Sequence, residues 1–187
     1  MRIVAGKHRS RILKTLPGEN TRPTLDKVRE GVFSSIGPYF DGGIVLDLFS
    51  GSGAIGLECI SRGMDFGIFA DNSYDAIKII QENIKALKEE ERTQCWKMDY
   101  KRALQQCVSQ NKKFDLIYLD PPYSKISVSE ILTFIDENKL LNKNGIVISE
   151  TLKDEDVVVE YQSFTKKKEL NYGITKINIF KEKEELV

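Results

Sequence analysis

The chain has 187 residues, 41% of them hydrophobic, and its 28 basic side chains balance 28 acidic ones. This length fits one domain with a small appendage, and zero net charge rules out a global field that would draw in an acidic partner. Three widely spaced cysteines (Cys59, Cys95, Cys107) without a CxxC pair, and a lone histidine, His8, argue against a disulfide framework, a metal cluster and a histidine-based triad. There is no apolar signal core and no run approaching 18 apolar residues, so a soluble, cytoplasmic protein with reduced thiols is expected; a monomer is the separate expectation for its oligomeric state.

In chain order, residues 1–16 alternate loosely, RIVAG and then KHRSRILKTL, which predicts a hairpin with a basic cluster at its turn. Residues 1–29 hold eight Lys/Arg against Glu19 and Asp26, an excess of six positive charges. Such an arm suits a polyanion, with Arg2, Lys7, Arg9, Arg11, Arg22 and Arg29 as its candidate contacts; a solvated surface hairpin is the plain alternative. PGENTRPT (17–24) reads as loop, so the expected division is a basic hairpin and loop over 1–24 and one compact domain over 25–187. From Leu25, the spacing of Val28, Val32, Phe33 and Ile36 predicts a helix ending near Gly37-Pro38.

A strict strand–helix rhythm follows. IVLDLF (44–49), FGIFAD (66–71), TQCWKMD (93–99), FDLIYLD (114–120) and GIVISE (145–150) read as buried strands. The intervening helices are AIGLECISRG closing at Gly63, residues 74–90 with Ile77, Ile80, Ile84 and Leu87 on one face, 100–109 and 127–140. VVVEY (157–161) and TKINIF (175–180) read as a closing antiparallel pair. The expectation is a doubly wound, mostly parallel seven-stranded sheet of the Rossmann-like α/β class, with a ligand over the carboxyl ends of the strands.

Two motifs sit at those ends. Gly51, Gly53 and Gly56 form a G-x-G-x-x-G turn between strand and helix, weak evidence by itself. With Asp71 closing the second strand, a nicotinamide oxidoreductase is one reading. Asp47, four residues before Gly51, counts against it, because a carboxylate there would repel a pyrophosphate. It would welcome a cationic cofactor such as S-adenosylmethionine, which carries a sulfonium and an ammonium and no phosphate. The plain alternative is that Asp47 caps loop N–H groups. Asp99 could accept from an adenine amino group or cap the next helix, and Asn72 is equally ambiguous. The candidate cofactor residues are Asp47, Ser50, Gly51, Ser52, Gly53, Asp71, Asn72, Asp99 and Tyr100.

The second motif is Asp120-Pro121-Pro122-Tyr123. Two prolines in series remove two N–H donors and fix two φ angles, so a rigid, acceptor-rich corner follows the strand. The Asp120 carboxylate and a proline-flanked carbonyl could accept from an exocyclic amine, with Tyr123 stacked on the base. A simple strand-ending turn remains equally open. No residues form a metal site.

The glycine loop in DLFSGSGAIG, with FAD, MD and LDPPY on the following strands, resembles the class I S-adenosylmethionine-dependent methyltransferases; the DPPY tetrapeptide resembles the subset that methylates exocyclic amines. MRIVAGKHRSRILKTLPG, then TRPTLDKVREGVFSSI, Glu150 and YGITKINIF (172–180) resemble the bacterial 16S rRNA guanine-N(2) methyltransferase family over essentially the full length. Asp71 stands where that family is expected to carry Glu, and Ser50 where it carries a small apolar residue. The resemblance implies transfer of a methyl group from S-adenosylmethionine to the 2-amino group of a guanine in 16S rRNA, free or in an assembling subunit, with Asp120, Pro121, Pro122 and Tyr123 as the catalytic residues. The alternatives are a DNA or other RNA amino-methyltransferase, a nicotinamide enzyme and a non-catalytic RNA-binding assembly factor.

Overall fold

The computed structural model describes residues 1–18, 23–122 and 125–183, with only the backbone of 23–25. Arg22 and Tyr123 therefore lie outside the described residues. The chain divides into two packing units, Met1–Ala103 and Leu104–Val187.

In the first unit, α1 (Pro23–Ile36) opens on a proline, whose missing N–H costs nothing in a first helical turn, and it buries Val28, Val32 and Phe33. Then come β1 (Ile44–Asp47), α2 (Ala54–Ser61), β2 (Phe66–Asp71), α3 (Tyr74–Leu87), a 3-10 turn over Glu90–Arg92, β3 (Thr93–Lys97) and the start of α4 (Tyr100–Ser109). β1 pairs in parallel with β2 from Ile44↔Phe66 to Asp47↔Phe69, and β2 with β3 from Gly67↔Thr93 to Asp71↔Lys97. Asp47 and Asp71 thus end adjacent strands. α3 starts because the Ser73 hydroxyl accepts the Ala76 N–H, and it stops at Lys88, whose φ is 59°. Its apolar stripe of Ile77, Ile80, Ile84 and Leu87 joins Leu57, Ile60 and Phe69 in one core cluster.

Ile3 and Leu13 of the N-terminal arm belong to that same cluster. The expected hairpin is present in minimal form: an antiparallel bridge between Arg2 and Ile12, with Ile3 N–H donating to the Arg11 carbonyl at 3.0 Å. No strand extends from it because the backbone of residues 4–8 is engaged by α2. Val4 and Ala5 N–H groups donate to the buried Glu58 carboxylate at 2.9 and 3.0 Å, and His8 N–H donates to Ser61 Oγ at 2.9 Å. The arm packs as part of the first unit.

The second unit holds β4 (Phe114–Leu119), α5 (Val128–Glu137), β5 (Leu141–Leu152), β6 (Phe164–Tyr172) and β7 (Thr175–Glu182). β4 and β5 are parallel; β7 lies antiparallel between β5 and β6. The seven strands follow the order β3-β2-β1-β4-β5-β7-β6, a mixed sheet of the expected class.

Two strand assignments need correction. The closing pair is β6 with β7, not residues 157–161, where Glu160 makes only an isolated bridge to Thr165 and Val158 and Val159 are exposed. The run Lys166-Lys167-Lys168 hides β6 from an apolar pattern, yet lysines are what an exposed edge strand carries to discourage pairing with other chains. β5 also starts at Leu141 rather than Gly145. Its pairing with β4 is irregular between Phe114 and Leu116, and Asn144 has φ 63°, so the turn-like Asn-Lys-Asn-Gly is absorbed inside a strand.

Gly56 is where α2 comes closest to the sheet. A Cβ there would lie 2.4 Å from Phe69 Cε1, within a fully buried ring. Gly56→Ala is expected to destabilise the fold by about 1–3 kcal/mol through overpacking, read by denaturant unfolding; an unchanged midpoint would show that α2 can shift freely.

Candidate active site

The glycine loop is held by carboxylates from two strands. Asp47, almost fully buried, accepts the Gly56 N–H on Oδ2 at 3.1 Å, tying the end of β1 to the first turn of α2. Asp71 accepts the Gly51 N–H on Oδ2 at 3.0 Å and the Ser73 N–H on Oδ1 at 2.9 Å. Within the loop, Ser50 Oγ donates to the Asp47 carbonyl at 2.6 Å and Gly53 N–H to the Ser50 carbonyl at 2.7 Å. Gly53 caps α2 with φ 79°, a conformation that favours glycine. The capping role weighed for Asp47 is thus real.

Asn72 is exposed beside Asp71. Asp99 follows β3 and accepts the Arg102 N–H at 3.1 Å, so it caps α4. Tyr100 packs on Phe49, their ring centroids 5.5 Å apart and tilted by 38°. Ser52 is buried, and its carbonyl accepts from Asn83 Nδ2 at 2.9 Å.

In the second unit Asp120 is exposed at the end of β4, Pro121 is buried and Pro122 is exposed, its carbonyl accepting the Lys125 N–H at 3.4 Å. One strand over, Glu150 accepts the Tyr118 hydroxyl on Oε1. Burial pushes Glu150 above the ordinary carboxylate range, and the Tyr118 bond partly opposes that.

The six candidate basic residues separate. Arg2 and Arg9 are exposed. Arg11 is exposed but donates to the Ala86 carbonyl at 2.7 Å, and Lys7 reaches Glu89 at 3.3 Å. Arg29 is a correction: only 4% exposed, it donates to Asp26 at 2.6 Å and to the Arg2 carbonyl at 2.8 Å, so it braces the arm from inside. Burial pushes the thiols of Cys95 and Cys107 up to about 11 and about 12, far from thiolate reactivity. Among the described residues no group of three or more His, Cys, Asp and Glu could hold a metal, and no helix is long and apolar enough to cross a membrane.

This sheet, with a glycine loop between β1 and α2 and carboxylates at the strand ends, defines a class I S-adenosylmethionine-dependent methyltransferase. More narrowly, the chain belongs to the family described as Conserved hypothetical protein 95, whose model matches residues 1–181. The YlbH protein of Bacillus subtilis (strain 168) is 38% identical over 98% of this chain and 100% of its own length. Ribosomal RNA small subunit methyltransferase D of Haemophilus influenzae is 30% identical over 96% of this chain and 93% of its own. The crystal structure of HI0767 from Haemophilus influenzae superposes with a TM-score of 0.80 at 27% identity, covering 98% of each chain.

The base of the arm carries a testable charge cluster. Glu89 is buried, which would raise its pKa, but hydrogen bonds from Arg92 and His8 and the nearby Lys7 bring it from 4.5 down to about 2. A depressed carboxylate adds stability above its unfolded pKa and loses it as the pH falls through the folded value. Wild type should therefore lose about 1–3 kcal/mol more than Glu89→Gln between pH 4.5 and pH 2. Parallel denaturant titrations of both proteins across that window check this; equal slopes would mean the cluster is screened.

Proposed function

We propose that this chain transfers a methyl group from S-adenosylmethionine to the exocyclic 2-amino group of a guanine in 16S rRNA. The observation that carries the reading is the acceptor corner Asp120-Pro121-Pro122 at the end of β4, in a chain whose relative acts on small-subunit ribosomal RNA. Its substrate would place the work in the bacterial cytoplasm, on free rRNA or an assembling subunit, with the protein acting as a monomer.

In this reading the glycine loop (Ser50, Gly51, Ser52, Gly53) lies against the cofactor. Asp47 would meet its positive charge and Asp71, with Asn72, its ribose hydroxyls, while Asp99, Tyr100 and Phe49 would hold the adenine. A pyrophosphate laid against this loop would be repelled by the Asp47 carboxylate, which makes the nicotinamide reading the poorer fit. The 2-amino lone pair of guanine is delocalised into the ring and is a weak nucleophile. Hydrogen bonds from the amine to the Asp120 carboxylate and the Pro121 carbonyl favour a more pyramidal nitrogen and aim its lone pair at the methyl group. As the N–C bond forms, the S–C bond breaks and sulfur keeps its electron pair; the methylated nitrogen becomes acidic and sheds a proton. Positioning of this kind supplies up to about 7–11 kcal/mol in ideal cases. A base paired inside a helix is out of reach, so the target must be unpaired or flipped.

Incubation with tritiated S-adenosylmethionine and 16S rRNA, free and in small-subunit particles, followed by digestion to nucleosides, should place the label in N2-methylguanosine. Label in another nucleoside, or none, defeats the reading. Asp120→Ala should abolish transfer yet keep the cofactor's stabilisation of the fold, about 2.7 kcal/mol at 100 times its dissociation constant. NAD should give no such stabilisation.

The arm then holds phosphates. Because Arg9 is exposed and Arg29 buried, their variants should differ in kind. Arg9→Ala should flatten the slope of log affinity against log salt by about 0.7–0.9 with little loss of stability. Arg29→Ala should cost about 3 kcal/mol of stability, since it leaves buried polar partners uncompensated, and leave the slope unchanged. RNA binding across a salt series, beside thermal unfolding, separates the two; a flattened slope for Arg29→Ala would reverse their roles.

A further inference from the structure

The pairing of β4 with β5 leads toward two carboxylates, Asp120 directly after β4 and Glu150 near the end of β5. The parallel pairing runs Ile117↔Val147, Tyr118↔Ile148 and Leu119↔Ser149, so its next step sets Asp120 beside Glu150. Side chains alternate across a sheet, which puts Tyr118, Ile148 and Glu150 on one face, with Asp120 next in that series. The contact agrees: the hydroxyl of Tyr118, itself 1% exposed, donates to Glu150 Oε1. On the other flank β7 sets Ile177 opposite Glu150. Among the described residues no Lys, Arg or His pairs with Glu150. Glu150 is partly buried rather than fully enclosed, and the Tyr118 bond engages only Oε1.

A carboxylate held in place by a buried tyrosine, with no cation to neutralise it, is costly unless a ligand supplies donors. Resting on the function proposed above, we propose that Glu150 is a specificity-determining residue that accepts the N1–H of the target guanine while Asp120 accepts from its 2-amino group. Guanine is the one standard base with two adjacent N–H donors on its pairing edge. Adenine and cytosine set a ring-nitrogen acceptor next to their amine, and uracil flanks its N–H with two carbonyls. Against those edges a second carboxylate meets an acceptor and repels it. A lone Asp120 would tolerate any exocyclic amine; the pair asks for guanine. The Tyr118 bond is what fixes the direction of Glu150.

The test uses the full-length protein and 16S rRNA in which the acceptor guanine, mapped by the nucleoside assay, is replaced through ligation by 2-aminopurine. That base keeps the 2-amino group but has an acceptor at N1. Wild type should prefer guanine on the order of 10⁴-fold in kcat/KM, as a site built around a donor rejects its absence. In Glu150→Gln the amide can donate to N1, so the preference should collapse to within about tenfold. Tyr118→Phe, which keeps the ring in its buried slot, should lower the preference in the same direction by a smaller factor. If Glu150→Gln slows both bases equally, or leaves the ratio unchanged, Glu150 is a structural residue and the proposal falls; this holds for Tyr118→Phe alone if the first variant does not fold. If wild type methylates no guanine at all, the underlying function is wrong, a result distinct from an unchanged ratio.

Discussion

The hydrogen bond from Gly56 N–H to Asp47 is the constraint around which the first unit is arranged. It joins the end of β1 to the first turn of α2, and so fixes the chain reversal between them. That reversal works only if α2 lies almost on the sheet, which Gly56 permits by presenting no side chain to Phe69. Asp71 then holds the outer part of the loop through Gly51 and the start of α3 through Ser73. Two acids at the ends of adjacent strands therefore serve structure first, each giving oxygens to backbone donors whose burial without a partner would be costly. In the function proposed above, the same negative charge would face a cofactor that carries no phosphate.

The N-terminal arm answers a different physical problem. It is too short to bury a core of its own, so it borrows one: Ile3 and Leu13 enter the cluster of α2 and α3. Its backbone donors are satisfied by side chains rather than by a sheet, with Glu58 taking two of them and Arg62 at 2.8 Å balancing that buried carboxylate. Asn83 completes the attachment. It accepts the Lys14 N–H at 2.8 Å and donates to both the Lys14 and Ser52 carbonyls. One buried amide thus joins the arm to the glycine loop.

How much of this was legible in the sequence follows from what each element rests on. The first five strands and their helices were readable because burial on both faces leaves near-continuous apolar runs, and Gly51, Gly53 and Gly56 mark the turn between β1 and α2. β6 was not, because an edge strand has one polar side and Lys166, Lys167 and Lys168 erase its alternation; Val157, Val158 and Val159 offered a stronger false pattern. The carboxylates at strand ends were readable as types, but whether Asp99 caps a helix is decided by a 3.1 Å contact that no spacing encodes. Arg29 was misplaced for a related reason: composition counts charges without saying which face of α1 they take.

The charge distribution has the same two-level character. Zero net charge conceals a basic arm, and the arm conceals a further division between charges that hold it and charges it displays. Arg29 and Arg62 are buried around Glu58, and His8 meets Glu89 at 2.5 Å in a buried contact. These pairs contribute through what their loss would leave exposed in a low dielectric, more than through net attraction. The arginines at the surface, Arg2 and Arg9, cost little to maintain because water solvates them. Anchoring by buried charge is insensitive to salt, and contact through exposed charge is not. An arm built this way stays docked over an ionic range in which any contact made through its exposed charges would vary.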